Sequence, residues 1–170
     1  MGTQQLNHAF EASIMSNSQY RRFSNLPVCS ALTNDEIQQL FACMEATIVA
    51  AGTVIYEAKS QSNQTICLIT KGIASVSRPG NNLYSQLQFG DHFGLFSFLD
   101  EDRKHAATVK AETDLELLTI SRAYFDLITL EDPQLGNRLL RFMFHLLSDK
   151  ALEVEHEYAL IHNFVTGGRY

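Results

Sequence analysis

Positive charge is in short supply: 13 Lys and Arg stand against 19 Asp and Glu in 170 residues, a formal charge of -6. Binding to a nucleic-acid duplex draws on a basic footprint, so this balance argues against direct DNA binding. Cysteine is equally scarce. Cys29, Cys43 and Cys67 are odd in number and lack CxxC spacing, which excludes a disulfide framework or a zinc knuckle. They read as small buried hydrophobes in a reducing compartment. No apolar run approaches the roughly 18 to 20 residues that span a bilayer. The opening MGTQQLNHAF lacks the basic and apolar regions of a secretory signal, and Leu6 stands where a myristoylation signal needs a hydroxyl. The expectation is a soluble, cytoplasmic protein with no membrane contact. Hydrolase, nucleotide-hydrolysis and metalloprotease signatures (GxSxG, the P-loop, HExxH) are absent as well. Glu155, His156 and Glu157 are adjacent, so on a helix they splay rather than converge. No catalytic residue and no metal site is assigned, and the chain reads as non-catalytic.

What is present is an ordinary globular mix, 45% hydrophobic and 19% charged, long enough for one domain with a sizeable core. The stretch to about Tyr20 is polar with few apolar residues and reads as a frayed or docking segment. Thr33-Asn34-Asp35-Glu36 matches a capping box, and Ile37, Leu40, Phe41 and Met44 follow at helical spacing, so a helix is expected from about Asn34 to Cys43. From Glu45 to Ile120 short Val-, Ile-, Thr- and aromatic-rich segments alternate with Gly, Asn and Ser. Strands are expected near 46–50, 53–58, 64–70, 73–78, 83–88, 105–111 and 115–120, with Gly52, Gly72, Gly80, Gly90 and Gly94 beside them. Nothing between these runs is long enough for a crossover helix, which excludes a parallel sheet. The fold class is therefore mainly β within α+β: a jelly-roll (double-stranded β-helix) barrel flanked by short N-terminal helices and a long C-terminal helix.

Ser121 is placed to cap a short helix containing Tyr124, Phe125 and Ile128. Asp132-Pro133 starts a long one, with Asp as N-cap and Pro at the first helical position. Neither Pro nor Gly interrupts residues 137–165. Leu140, Phe144, Leu147, Ala151, Val154, Tyr158 and Ile161 alternate by four and three, a seam of period 3.5. Leu139, Phe142, Met143 and Leu146 widen the apolar face in the first half only. One arrangement suits both halves: the wide face packs on the barrel, and the seam pairs with a second copy in a homodimer. On this reading Leu147→Glu breaks the dimer by placing a charge in the seam. Three segments result: an N-terminal segment 1–22, a β-roll with flanking helices over 23–132, and a lid or dimerisation helix over 133–165.

This order of elements resembles the cyclic nucleotide-binding domain family over about residues 23–150. Leu32-Thr33-Asn34-Asp35-Glu36-Ile37 resembles the family's entry helix. Ala51-Gly52-Thr53-Val54-Ile55-Tyr56-Glu57 and Leu68-Ile69-Thr70-Lys71-Gly72 resemble its first hairpins. Phe89-Gly90-Asp91-His92-Phe93-Gly94, with 105–114 (HAATVKAETD), resembles the phosphate-binding cassette and the strand after it. The resemblance implies a cyclic phosphodiester inside the roll. A Gly-Glu step opens a short helix whose amides face the anion, the Glu accepts from the ribose, an Arg pairs with the phosphate beside a hydroxyl and a small Ala, and the long helix closes as a lid.

The sequence departs from that pattern where the chemistry sits. Gly94 and Ala107 remain, but Leu95 replaces the Glu, His105 the Arg and Ala106 the hydroxyl, while Ala58 stands where a second glycine is expected. Hydrogen bonds to charged groups contribute roughly 1.5–3 kcal/mol each. Facing a ribose hydroxyl with an apolar side chain costs roughly 1–3 kcal/mol more, so affinity for cyclic AMP or cyclic GMP falls by roughly two to four decades. Leu95, Phe93, Phe96 and Phe98 are expected to fill the vacated pocket.

The leading expectation is a regulatory module with weak or no cyclic nucleotide binding, acting through dimerisation or an effector protein and needing no cofactor. The alternative is a genuine sensor of a cyclic nucleotide or another small anion in a non-standard pocket. Its residues would be Gly94, Leu95, Phe96, Ser97, His105, Ala106 and Ala107, with Lys150 near the lid. A version relying on protonated His105 binds more tightly below pH 7. A haem sensor with His92, His105 or a cysteine as axial ligand is a further rival. The tail from Thr166 is too short for a helix-turn-helix.

Overall fold

The computed structural model describes residues 17–100 and 102–165. The chain begins with α1 (Ser18–Ser24), a 3-10 turn (Pro27–Ala31) and α2 (Asn34–Ala42). Eight strands follow: β1 (Glu45–Val49), β2 (Val54–Tyr56), β3 (Thr65–Lys71), β4 (Ala74–Arg78), β5 (Asn81–Leu87), β6 (His92–Phe93), β7 (Thr108–Ala111) and β8 (Leu115–Ser121). The five-residue α3 (Leu95–Leu99) lies between β6 and β7. After β8 come α4 (Arg122–Glu131) and α5 (Pro133–Val165).

The strands form two antiparallel four-stranded sheets, in the orders β1-β8-β3-β6 and β2-β7-β4-β5. This is the expected mainly β roll with flanking helices. Strand β6 went unrecognised, because two residues carry no period and only pairing Cys67↔Phe93 and Leu68↔His92 makes them a strand. The expected 105–111 strand begins at Thr108, which leaves His105 in the preceding loop.

Alternation along β3 divides the core in two. Ile66 and Leu68, with Leu118 and Ile120, face an outer cluster under the helices. Cys67 and Ile69, with Leu115, Leu117 and Phe93, face the interior of the roll. The outer cluster also takes Tyr20 and Phe23 from α1 and Leu139, Phe142, Met143 and Leu146 from α5. The boundary expected at residue 22 therefore falls inside α1, whose buried residues Tyr20 and Phe23 stand on either side of it. Residues 1–16 of the expected N-terminal segment, and those from Thr166, lie outside the described residues.

Local signals set the helix starts. Glu36 N–H donates to the Thr33 hydroxyl while the Glu36 carboxylate accepts from Thr33 N–H, completing the capping box. Ser121 accepts from Tyr124 N–H, and Asp132 accepts from the amides of Gln134 and Leu135. Gly136 has a tertiary reason. A Cβ there would lie 2.7 Å from the Thr129 hydroxyl and 2.9 Å from its Cα, so only glycine lets α5 cross α4 this closely. None of the described helices is long and apolar enough to cross a membrane.

Candidate functional site

The short helix of the cassette begins after Gly94, which closes β6 and caps α3 with φ +88°. A Cβ at this position would lie 2.1 Å from the Thr65 carbonyl oxygen, so the backbone pathway itself demands glycine. Ser97 is buried and its hydroxyl donates to Gly94 O at 3.0 Å, while Ser97 O accepts from the Ser62 hydroxyl at 2.8 Å. Both polar groups of Ser97 thus hold the short helix in place.

The side chains of α3 divide between two environments. Leu95 and Phe98 are buried in the outer cluster, where Phe98 meets Phe125 edge-on at 5.6 Å. Phe93 enters the inner cluster. Phe96 is 60% exposed, with the Arg103 guanidinium 5.3 Å from its ring centre. The expectation that all four fill one pocket is corrected: α3 turns Leu95 and Phe98 to the helix side and leaves Phe96 in solvent.

His105 closes the end of the roll. It is 5% exposed and lies flat on Tyr56, with ring centres 3.7 Å apart and planes at 9°. Tyr56 in turn meets Phe93 at 5.9 Å. Two backbone bonds hold the loop in place, His105 N–H to Ser60 O and Lys59 N–H to His105 O. Lys59 adopts φ +69°, so the left-handed position falls on Lys59 rather than on Ala58. Burial depresses the His105 pKa, favouring the neutral ring, and its Nε2 is buried without a hydrogen-bond partner. Burial also drives the Tyr56 hydroxyl far above its ordinary value, the charge of Cys67 adding to the effect. Ala106 is exposed and Ala107 half-buried.

Lys150 belongs to a different neighbourhood. It pairs with Asp91 at 3.8 Å and donates to Glu153 at 2.5 Å, beside the turn joining β5 to β6. Burial works to lower its pKa, but the Glu153 hydrogen bond and the charges of Asp91, Glu153 and Glu157 outweigh it and the net shift is upward. Cavities of about 760, 600 and 530 Å³ open on the surface, and none of these three is lined by Gly94, Leu95, His105, Ala106 or Ala107. Among the described residues no group of three or more His, Cys, Asp or Glu is arranged to hold a metal ion.

The family profile of the cyclic nucleotide-binding domain matches residues 47–132, half of the chain. The chain belongs to the cyclic nucleotide-binding domain family. No curated protein matches it significantly. Among solved structures, it is similar to a cyclic nucleotide-binding domain from Methylobacillus flagellatus, at 18% identity and TM-score 0.66 over 79% of each chain. It is similar to the catabolite activator protein of Thermus thermophilus, at 22% identity and TM-score 0.57 over 83% of this chain and 72% of that one. It is also similar to the regulatory domain of Toxoplasma gondii PKA, solved with cAMP, at 19% identity and TM-score 0.60 over 79% of this chain and 49% of that one.

Within the cyclic nucleotide-binding domain Gly94 has the left-handed backbone that opens the short helix, Leu95 is buried in the outer cluster and His105 is stacked on Tyr56. Sequence reasoning picked out His105 but not Tyr56, which it saw only as part of a hairpin. Forty-nine positions separate the two, and no local signal predicts their stacking.

Proposed function

We propose that this protein is a non-catalytic regulatory module of the cyclic nucleotide-binding fold in which the usual nucleotides bind weakly or not at all. The observation that carries this reading is His105, a neutral, buried imidazole stacked on Tyr56 where the family resemblance implies an Arg for the phosphate. A neutral ring offers neither the charge nor the two-pronged geometry of a guanidinium. Leu95, turned into the outer cluster, presents no carboxylate to a ribose. Isothermal titration with cyclic AMP and cyclic GMP at pH 7.5 and pH 5.5 tests it. No saturable heat is expected at micromolar ligand at either pH. Tight, stoichiometric binding at pH 7.5 overturns it, and binding at pH 5.5 alone supports a sensor that works through protonated His105.

The output route in this reading is the second half of α5. Val154, Tyr158 and Ile161 are 55%, 69% and 61% exposed, and every residue described from Ala151 onward is exposed. The helix reaches about 50 Å at 1.5 Å per residue, beyond what its own domain covers. A second copy alongside buries the seam. Leu147 packs partly against its own outer cluster, so Leu147→Glu would also damage the fold. Tyr158→Glu is the cleaner variant. Light scattering is expected to give a dimer for the unmodified chain and a monomer for Tyr158→Glu, and an unchanged mass counts against the seam.

A further inference from the structure

Away from the cassette, α5 forms one wall of a groove of about 760 Å³ whose other wall is the turn Pro27–Ala31 and α2. Its base is apolar, with Leu40 and Phe142 buried and Val28 and Leu32 half-buried. Arg138, Arg141 and His145 line the α5 side, three and four residues apart and so on one helix face. Arg138 donates to the Gln39 side chain. Among the described residues neither arginine has a carboxylate oxygen within 4.0 Å. Glu36 also lines the groove, but its carboxylate is engaged by the Thr33 amide and hydroxyl, at 3.0 Å each.

The groove does not end there. Pro27, Val28 and Asp149 also line a second groove of about 600 Å³, which reaches Glu153 on α5 and Phe89–His92 beyond β5. The sign of the charge reverses in this part: Asp91, Asp149 and Glu153 outnumber Lys150, which is already committed to Asp91 and Glu153. From Pro133 to Glu153 the shared α5 wall runs about 30 Å at 1.5 Å per residue. A trough that long, apolar at its base and oppositely charged at its ends, suits an amphipathic segment better than a compact small molecule.

We propose that this trough docks an amphipathic segment of a partner protein, apolar along one side, acidic over Arg138 and Arg141 and basic over Asp149 and Glu153. The order of charges excludes the chain's own N-terminal segment as the occupant. The first sixteen residues of this chain hold one acidic residue, Glu11, and neither Lys nor Arg, so they match neither end. A second copy is the remaining rival, since α5 itself passes from Arg138 and Arg141 to Glu153, Glu155 and Glu157.

The test uses the full chain and a fluorescein-labelled sixteen-residue helical peptide with leucines at positions i, i+3, i+4 and i+7, a Glu pair at one end and a Lys pair at the other. Its control has the same composition with the charges scrambled. Fluorescence anisotropy is expected to show saturable 1:1 binding of the ordered peptide and at least tenfold weaker binding of the control. Binding to the unmodified protein should weaken between 50 and 500 mM salt, a readout that no folding defect can mimic. R138E/R141E, changing exposed and half-exposed arginines, should lose at least tenfold and regain affinity for a peptide carrying Lys pairs at both ends. Equal binding of the two peptides, or an unchanged R138E/R141E, overturns the proposal. Binding that requires removal of residues 1–16 overturns it too, as does a loss of dimer mass in R138E/R141E, which would make a second copy the occupant. None of these readouts changes Gly94, Leu95 or residues 105–107, so failure here leaves the nucleotide reading standing, and the reverse holds.

Discussion

The outer and inner clusters share the sheet β1-β8-β3-β6 as a common wall but close in different ways. The outer cluster is closed mainly by apolar groups, with the Arg22–Glu116 ion pair at its edge: Phe23, Leu40, Leu139 and Phe142 are 0–3% exposed, and Phe23 meets Phe142 at 5.7 Å. The inner cluster is apolar along its length but ends at His105 on Tyr56, where a ring nitrogen is buried without a partner. An unsatisfied buried polar group costs about 1–3 kcal/mol. Arg22 Nε on the helix side is unpartnered as well, but there the guanidinium keeps its bond to Glu116, and His105 has no charged partner to offset the loss.

The largest expected effect lies on the outer side. Phe142→Ala should lower unfolding free energy by about 3–5 kcal/mol in urea denaturation, through lost burial and the cavity left behind. A loss below about 1 kcal/mol would mean that the outer cluster is not the stabilising half. At the inner end the sign should reverse. His105→Phe keeps the flat stack on Tyr56 and removes the unpartnered nitrogen, so it should be neutral or stabilise by about 1 kcal/mol at pH 7.5. Clear destabilisation would show that the imidazole makes a bond worth keeping.

Acid should sharpen the contrast further. The folded-state pKa of His105 is depressed by burial, so its neutral form contributes stability that is present above the ordinary histidine value near 6.5 and is lost as pH falls through the folded value. His92 shifts in the same direction, burial being the main cause, with Asp91 opposing it. Melting temperature should therefore drop between pH 7 and pH 5, and His105→Phe should flatten part of that slope. An identical slope in the variant would remove His105 from the account. The smallest effect belongs to the helix start. Thr33→Ala should cost about 1 kcal/mol by opening the capping box, and it should leave the pH slope unchanged.

The local signals were legible because their chemistry is complete within a few residues. Thr33 with Glu36, Ser121 with Tyr124 and Asp132 with Gln134 and Leu135 each satisfy free helix amides from neighbouring side chains, so their reading needs no knowledge of the fold. Five glycines beside the strands were expected at turns, and all five have positive φ. The candidate site was only half legible. Its residue types could be compared with the family pattern one by one, but the facing of Leu95 depends on how α3 is rotated against Phe125. The setting of His105 depends on a loop pinned to Lys59 and Ser60, with the left-handed residue at Lys59 rather than at Ala58.

By itself, then, the sequence determined the mainly β roll, the caps of its helices, Gly94 before the short helix, and the presence of Leu95 and His105 where the family resemblance implies Glu and Arg. These follow from alternation, short-range hydrogen bonding and residue identity, all carried by neighbours in the chain. Tertiary structure alone decided that His105 is buried and stacked on Tyr56, with burial lowering its pKa, that Leu95 faces the helices, that Lys150 answers to Asp91 and Glu153, and that α5 lines a charged trough. Each of those depends on burial or on a partner tens of residues away, and the free energy of a buried charge or ring is set by what surrounds it in space rather than by what precedes it in the chain.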